Sequence, residues 1–254
     1  MLITDYKNLI VFLTTLITLY SQGLINDQSL LDILSEIYYQ PYPEFSKEAL
    51  YFRFPNFDHF PKPTTTKIAI QIGHLIEENL PWELRNLAQG GGAIVENIKE
   101  VEINKNIAYK VKDLLEKEGY QVEILSAIIP PEYYADVFIA LHANSTAKSI
   151  SGFMISTPYK DYSQKADKLK KFLIKEYQKE TGLDFLDYTT PQMTFYYAFN
   201  WSKFKRAIHP KTPVVIIEMG NMQNINDLNL LLNQPEKIAQ GITKGIILFL
   251  KNIN

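Results

Sequence analysis

Three short apolar runs do most to limit what this chain can fold into, and each closes on a residue able to bind a metal or move a proton. KIAIQIG (67–73) is followed by His74, VFIAL (137–141) by His142, and VVII (214–217) by Glu218. Runs this short and this rich in β-branched residues read as buried strands. Helical patterns lie between them. From about Glu102 to Glu118, residues Ile103, Ile107, Val111, Leu114 and Leu115 recur at helical spacing, and Gly119 suits the C-terminal cap. Asp161 to Thr181 reads as a charged amphipathic helix, and Pro235 to Leu250 as a final one. YQVEIL (120–125) and GFMIS (152–156) add two further strands. Strands alternating with helices imply βαβ units and a mostly parallel sheet.

The chain has 254 residues, 46% of them hydrophobic, which suits one α/β domain with an extension. We divide it near residue 65. Residues 22–64 form an extension rich in aromatics and prolines, with YYQPYPEF and LYFRFPNFDHFPKP, which proline keeps from running as one helix. PKPTTT (61–66) reads as the linker into a main domain over 65–254. Within residues 1–21, Leu9 to Tyr20 is a 12-residue run without charge. It is shorter than the roughly 20 apolar residues of a membrane span. A signal or anchor is one reading, and its length suits the core of a signal peptide. Its flanks do not, because Asp5 offsets Lys7 and no A-x-A-like site follows. An amphipathic or buried N-terminal helix is the other reading. The net charge of -2 gives no electrostatic ground for nucleic-acid binding. There is no cysteine, which excludes disulfides, thiolate catalysis and thiolate metal sites.

Any metal must therefore be held by imidazole and carboxylate. In open α/β sheets, ligands bind beyond the carboxyl ends of the strands. The three runs deliver His74, His142 and Glu218 to that edge. Residues 76–99, with Pro81 and the triplet Gly90, Gly91 and Gly92, read as a long loop with room for one helical turn, and loops of that length in a compact domain are usually functional or disordered. Glu100 lies where the loop meets the first helix. Catalytic zinc commonly takes three His, Asp or Glu ligands and keeps a position for water. His74, Glu100 and His142 supply such a set, and Glu218 suits the proton transfers of hydrolysis. Glu96 and Glu102 compete with Glu100 for the acidic position, and periodicity does not separate them. His59, in FDHF, reads as structural. His209, in AIHPKTP, reads as a loop residue that could also line the site.

The blocks IGH (72–74), EVEIN (100–104), ALHANS (140–145) and EMGNMQN (218–224) resemble, in order, those of the zinc-dependent N-acetylmuramoyl-L-alanine amidases of bacterial cell walls. The resemblance covers roughly residues 67–250. It implies a single α/β domain with a twisted, mainly parallel sheet flanked by helices. It implies zinc ligands at His74, at Glu100 as the opening residue of E-x-x-x-N with Asn104 as its Asn, and at His142. It implies a catalytic carboxylate at Glu218. The substrate it implies is peptidoglycan or a muropeptide, and the place of action the cell envelope or the extracellular space. GHLI stands where many members have a GHGG-like start, and no arginine precedes the HAN block, which together with the GGG loop and YYAFNW (196–201) marks a divergent subgroup.

Two rival readings remain at the level of sequence. One is a zinc metallopeptidase cutting another amide, although no H-E-x-x-H helix motif occurs. The other is a cell-wall binding module without turnover. Tyr196, Tyr197, Asn200 and Trp201 read either as part of a substrate groove or as packing residues.

Overall fold

The apolar runs lie side by side in a five-stranded sheet. The computed structural model describes residues 14–15, 17–24, 66–76, 79–85, 87 and 91–253. In chain order the strands are β1 (Lys67–Ile72), β2 (Ile94–Val95), β3 (Ile98–Lys99), β4 (Gln121–Leu125), β5 (Val137–Asn144), β6 (Met154–Ser156) and β7 (Val214–Asn221). The helices are α1 (Glu100–Lys117), α2 (Ala166–Thr181), α3 (Pro191–Thr194), α4 (Ile225–Asn233) and α5 (Pro235–Asn252). The sheet runs β4-β1-β5-β7-β6, parallel except for β6, which pairs antiparallel with β7. β2 and β3 form a small separate hairpin.

Side chains alternate across the sheet, so each strand contributes to two different layers. On one face Ile68, Ile70 and Ile72 of β1 join Val137, Ile139 and Leu141 of β5 and Val215 and Ile217 of β7. Ile107, Val111 and Leu115 of α1, Leu169 and Leu173 of α2, and Ile242 and Ile246 of α5 cover them. Each such side chain, fully buried, contributes about 1.5–3 kcal/mol relative to exposure. The opposite face carries the smaller Ala69 and Ala140 beside Phe138, Val214 and Ile216. Its cover is the irregular chain around α3, with Met193, Tyr197, Ala198, Phe199 and Ile208. Gln71, His142 and Glu218 point to this second face, in step with Ala69, Ala140 and Ile216.

Several elements differ from their sequence reading, for local reasons. The segment 76–99 holds the expected helical turn, as a 3-10 turn at Trp82–Leu84, and in addition the β2–β3 hairpin. α2 starts at Ala166 rather than near Asp161, because the Asp161 carboxylate accepts N–H bonds from Ser163 at 2.9 Å and Ala166 at 2.8 Å. That arrangement forms a turn ahead of the helix. α4 is an additional helix, capped by Asn224, whose Oδ1 accepts from the N–H groups of Asn226 and Asp227.

The chain divides into two units, Met1–Pro43 and Glu44–Asn254. In the first, residues 14–15 and 17–21 are helical, and Ile17 and Leu24 are exposed. No helix among the described residues is long and apolar enough to cross a membrane. Residues 9–13 of the apolar run lie outside the described residues, as do residues 25–65 with His59 and most of the linker.

α5 lies against α2 at unusually close range through two glycines one turn apart. A Cβ on Gly241 would sit 2.8 Å from Tyr177 Cα, and one on Gly245 would sit 2.9 Å from Leu173 Cα. Neither position has room for a side chain unless a backbone moves. Gly245→Val should therefore lower unfolding stability by about 1–3 kcal/mol in urea titration, whereas a helix in which bulk is tolerated would show no loss.

Candidate metal centre

The site forms at the carboxyl ends of β1, β5 and β7. β1 stops at Ile72, Gly73 donates its N–H to the Leu141 carbonyl at 3.0 Å, and His74 turns back with φ 62°. A non-glycine residue in that left-handed region costs about 1–2 kcal/mol, and the turn directs the imidazole over the sheet end. His142 lies within β5, with Glu218 of β7 as its register partner. Asn144 pairs with Asn221, so β7 carries an extra residue just past Glu218, a bulge at the rim of the site.

Two glycines make the approach of these side chains possible. A Cβ on Gly73 would lie 2.5 Å from His142 Cε1 and 2.6 Å from Nε2, so the His142 ring lies against the residue just past β1, where the chain has no side chain. Gly92 has φ +79°, and a Cβ there would lie 2.4 Å from Glu100 Oε2 and 2.6 Å from His74 Cδ2. Gly92 thus comes down over the cluster with bare backbone.

His74, Glu100 and His142 each offer one ligand atom, and these atoms lie within 4.8 Å of one another. His74 Nε2 is 3.3 Å from Glu100 Oε2, and His142 Nδ1 is 3.0 Å from Glu100 Oε1. The imidazoles meet edge to face, 4.8 Å between centroids. Glu100 opens α1, where the helix dipole favours negative charge. Its carboxylate accepts from Ala93 N–H at 3.0 Å, Ala143 N–H at 3.2 Å and Asn104 Nδ2 at 3.3 Å. Asn104, one turn along α1, also donates to the Gly73 carbonyl at 3.3 Å.

The electrostatics follow from burial and proximity. Burial pushes the Glu100 carboxyl up, but hydrogen bonding to His142, the charges of both histidines and the Ala93 N–H bring it down to about 2. Burial likewise acts to lower His142, and the hydrogen bond to Glu100 and the charges of Glu218 and Glu100 outweigh it, so His142 is raised. His74 is lowered, by burial and then by the neighbouring His142. Burial raises Glu218 to about 7, with His142 opposing the shift and Glu100 adding to it. Two imidazoles and an ionised carboxylate, with nitrogen and oxygen donors only, fit a divalent metal of the zinc type.

All four residues singled out in the sequence meet at this edge. Glu96 and Glu102 are exposed, Glu96 in the hairpin turn and Glu102 on the outer side of α1, and neither joins the cluster. His209 precedes β7, at the other end of that strand, where its Nδ1 accepts from the Lys211 N–H. Trp201 packs edge-on against Tyr162, and Asn200 caps its own turn through bonds from Ser202 and Lys203. Tyr196 does reach the site, its hydroxyl 3.2 Å from His142 Nε2. Gln71 is the residue that sequence reasoning passed over. A lone amide inside KIAIQIG is the signal that could have found it, because a buried polar group needs a partner.

A family model described as N-acetylmuramoyl-L-alanine amidase matches residues 68–248, well over half of the chain. The chain belongs to the N-acetylmuramoyl-L-alanine amidase family. Membership makes it an amidase, an enzyme of peptidoglycan hydrolysis and cell-wall degradation. Solved structures share the fold at low identity. An N-acetylmuramoyl-L-alanine amidase from Clostridium difficile is 15% identical with TM-score 0.54, covering 75% of this chain and 99% of that one. The N-acetylmuramyl-L-alanine amidase of Mycobacterium smegmatis is 16% identical with TM-score 0.54, covering 73% and 97%. The catalytic domain of CwlV from Bacillus (Paenibacillus) polymyxa is 18% identical with TM-score 0.50, covering 74% and 99%. No curated protein matches the sequence.

The raised Glu218 value has a consequence for stability. A carboxyl whose pKa is higher folded than unfolded favours the folded state while protonated, and that contribution is lost as pH rises through the folded value. The window runs from the ordinary 4.5 up to about 7. In metal-free protein, Glu218→Gln should be more stable than wild type at pH 8 by roughly 1–3 kcal/mol, with the two equal below pH ~4.5. Denaturant titrations at both pH values check this, and a difference that does not change with pH would contradict it.

Proposed function

We propose that the protein hydrolyses the amide between N-acetylmuramic acid and the L-alanine of the stem peptide. In this reading His74, Glu100 and His142 hold one zinc ion, and Glu218 moves the protons. The observation that carries it is the convergence of those three side chains within 4.8 Å beside Glu218, in a chain of this family. When bound, zinc supplies Lewis acidity toward the scissile carbonyl and the attacking water.

The chain's own residues do the rest. Burial holds the Glu218 carboxyl above the usual carboxylate range, which suits a group that takes the proton of the attacking water and later releases it. Once protonated, it can return that proton to the alanine nitrogen as the amide breaks. Glu100 stays ionised throughout, held low by its hydrogen-bond donors and both histidines. Asn104 and the Ala93 and Ala143 N–H groups fix its orientation, the support that metal-ligating carboxylates generally have. The substrate class implies action at the cell envelope or outside the cell. Residues 65–254 form the catalytic domain in this proposal, 22–64 an extension, and 1–21 a signal or anchor.

The test is digestion of purified peptidoglycan with the full chain. The reading expects new alanine amino groups without new reducing sugar ends, activity lost to a chelator and restored by zinc, and kcat reduced about 100-fold or more in Glu218→Gln with zinc content unchanged. Full activity in Glu218→Gln or insensitivity to chelator would sink the mechanism. Release of a different amino terminus would favour the metallopeptidase reading, and binding without any product would favour the module.

A further inference from the structure

We infer that Tyr196 is a positioning residue that fixes His142 in the tautomer protonated at Nε2, so that Nδ1 is the atom His142 presents to a metal. The inference rests on the proposal that His142 is a ligand, and it follows from a chain of hydrogen bonds with only one consistent direction.

The direction is set at the far end. The Ala127 carbonyl can only accept, so the Tyr197 hydroxyl, 2.5 Å away, donates to it. With its hydrogen used, Tyr197 Oη accepts from Gln71 Nε2 at 2.6 Å. The same Nε2 donates to a second carbonyl, that of Ser126, at 3.2 Å. Two independent acceptors thus orient an amide whose oxygen and nitrogen are otherwise interchangeable. Gln71 Oε1 then faces Tyr196 and can only accept, so the Tyr196 hydroxyl donates to it at 2.9 Å. What Tyr196 Oη offers His142 Nε2, at 3.2 Å, is a lone pair. Nε2 must therefore carry the hydrogen.

Burial makes the direction binding. Gln71 is 0% exposed, His142 6% and Tyr197 8%. Reversing a link would set two donors or two acceptors face to face, in a buried position at Gln71 and Tyr197 and a half-buried one at Tyr196, which is more costly there than in solvent. With Nε2–H directed at Tyr196, Nδ1 is the ring nitrogen that faces Glu100 Oε1, 3.0 Å away. The hydrogen Nδ1 donates to that carboxylate is the one a metal would displace, while Nε2 keeps its own. A metal-ligating histidine usually donates its second ring N–H to a carboxylate, carbonyl or water, which orients the ring. Here the acceptor is a phenol oxygen supplied by YYAFNW, the segment that departs from the family pattern.

Two measurements on the full chain test this. In zinc-loaded protein with 15N-labelled histidine, long-range 15N–1H correlation should place the His142 proton on Nε2, and a proton on Nδ1 with zinc at Nε2 would overturn the inference. In competition with a chromophoric chelator, Tyr196→Phe should bind zinc about 10- to 100-fold more weakly than wild type with an unchanged circular dichroism spectrum. Affinity within twofold of wild type would overturn the inference. If Tyr196→Phe does not fold, the tautomer in wild type decides alone. His142→Ala separates the two levels: zinc binding undiminished in that variant removes His142 as a ligand and the inference with it, whereas loss there with full binding in Tyr196→Phe removes only the role of Tyr196.

Discussion

The Glu100 carboxylate joins a loop, a helix start and a distant strand. It accepts from Ala93 in the glycine-rich loop, from Ala143 in β5 and from Asn104 one turn along its own helix, and it faces both imidazoles. A buried carboxylate without these partners would protonate. With them it stays ionised, so the loop, the helix start and the strand ends depend on one another. Glu100 heads α1, whose apolar side packs on the sheet. The position of the charge is therefore inherited from the core.

The sheet supplies the other half of the arrangement. Its first face is an ordinary aliphatic layer under three helices. Its second face is covered by irregular chain and admits polar side chains, Gln71, His142 and Glu218, along with small residues. Parallel strands bring His74, His142 and Glu218 to one edge, and Gly73 and Gly92 let them close within reach of Glu100. The same polar face accommodates the Tyr196–Gln71–Tyr197 chain behind His142. The site is thus supported from both sides, by Asn104 and backbone N–H groups on the carboxylate and by a phenol on the imidazole.

Much of this can be read from the sequence, and the parts that cannot share a physical cause. β1, β5 and β7 announce themselves because strands buried on both faces must be short, apolar and β-branched, and the break in each pattern marks His74, His142 and Glu218. α1 is legible because it is long enough to repeat its period. Choosing Glu100 over Glu96 and Glu102 is not a matter of period. It depends on a two-residue hairpin that turns Glu96 outward and on the helix face that exposes Glu102. The need for glycine at 73 and 92 comes from side chains brought in from distant segments. α4 is nine residues long, too short for its period to stand out. Gln71 is visible as an anomaly in an apolar run, but its partners lie more than a hundred residues away, at Tyr196 and Tyr197.

The central claim is that these elements build one metal centre from His74, Glu100 and His142. Anomalous diffraction at the zinc absorption edge, from crystals of the zinc-loaded full chain, tests it directly. The account predicts a single strong peak with two imidazole nitrogens and one Glu100 oxygen at about 2.0–2.2 Å. A peak elsewhere in the chain, or one that Glu100 does not reach, would contradict it.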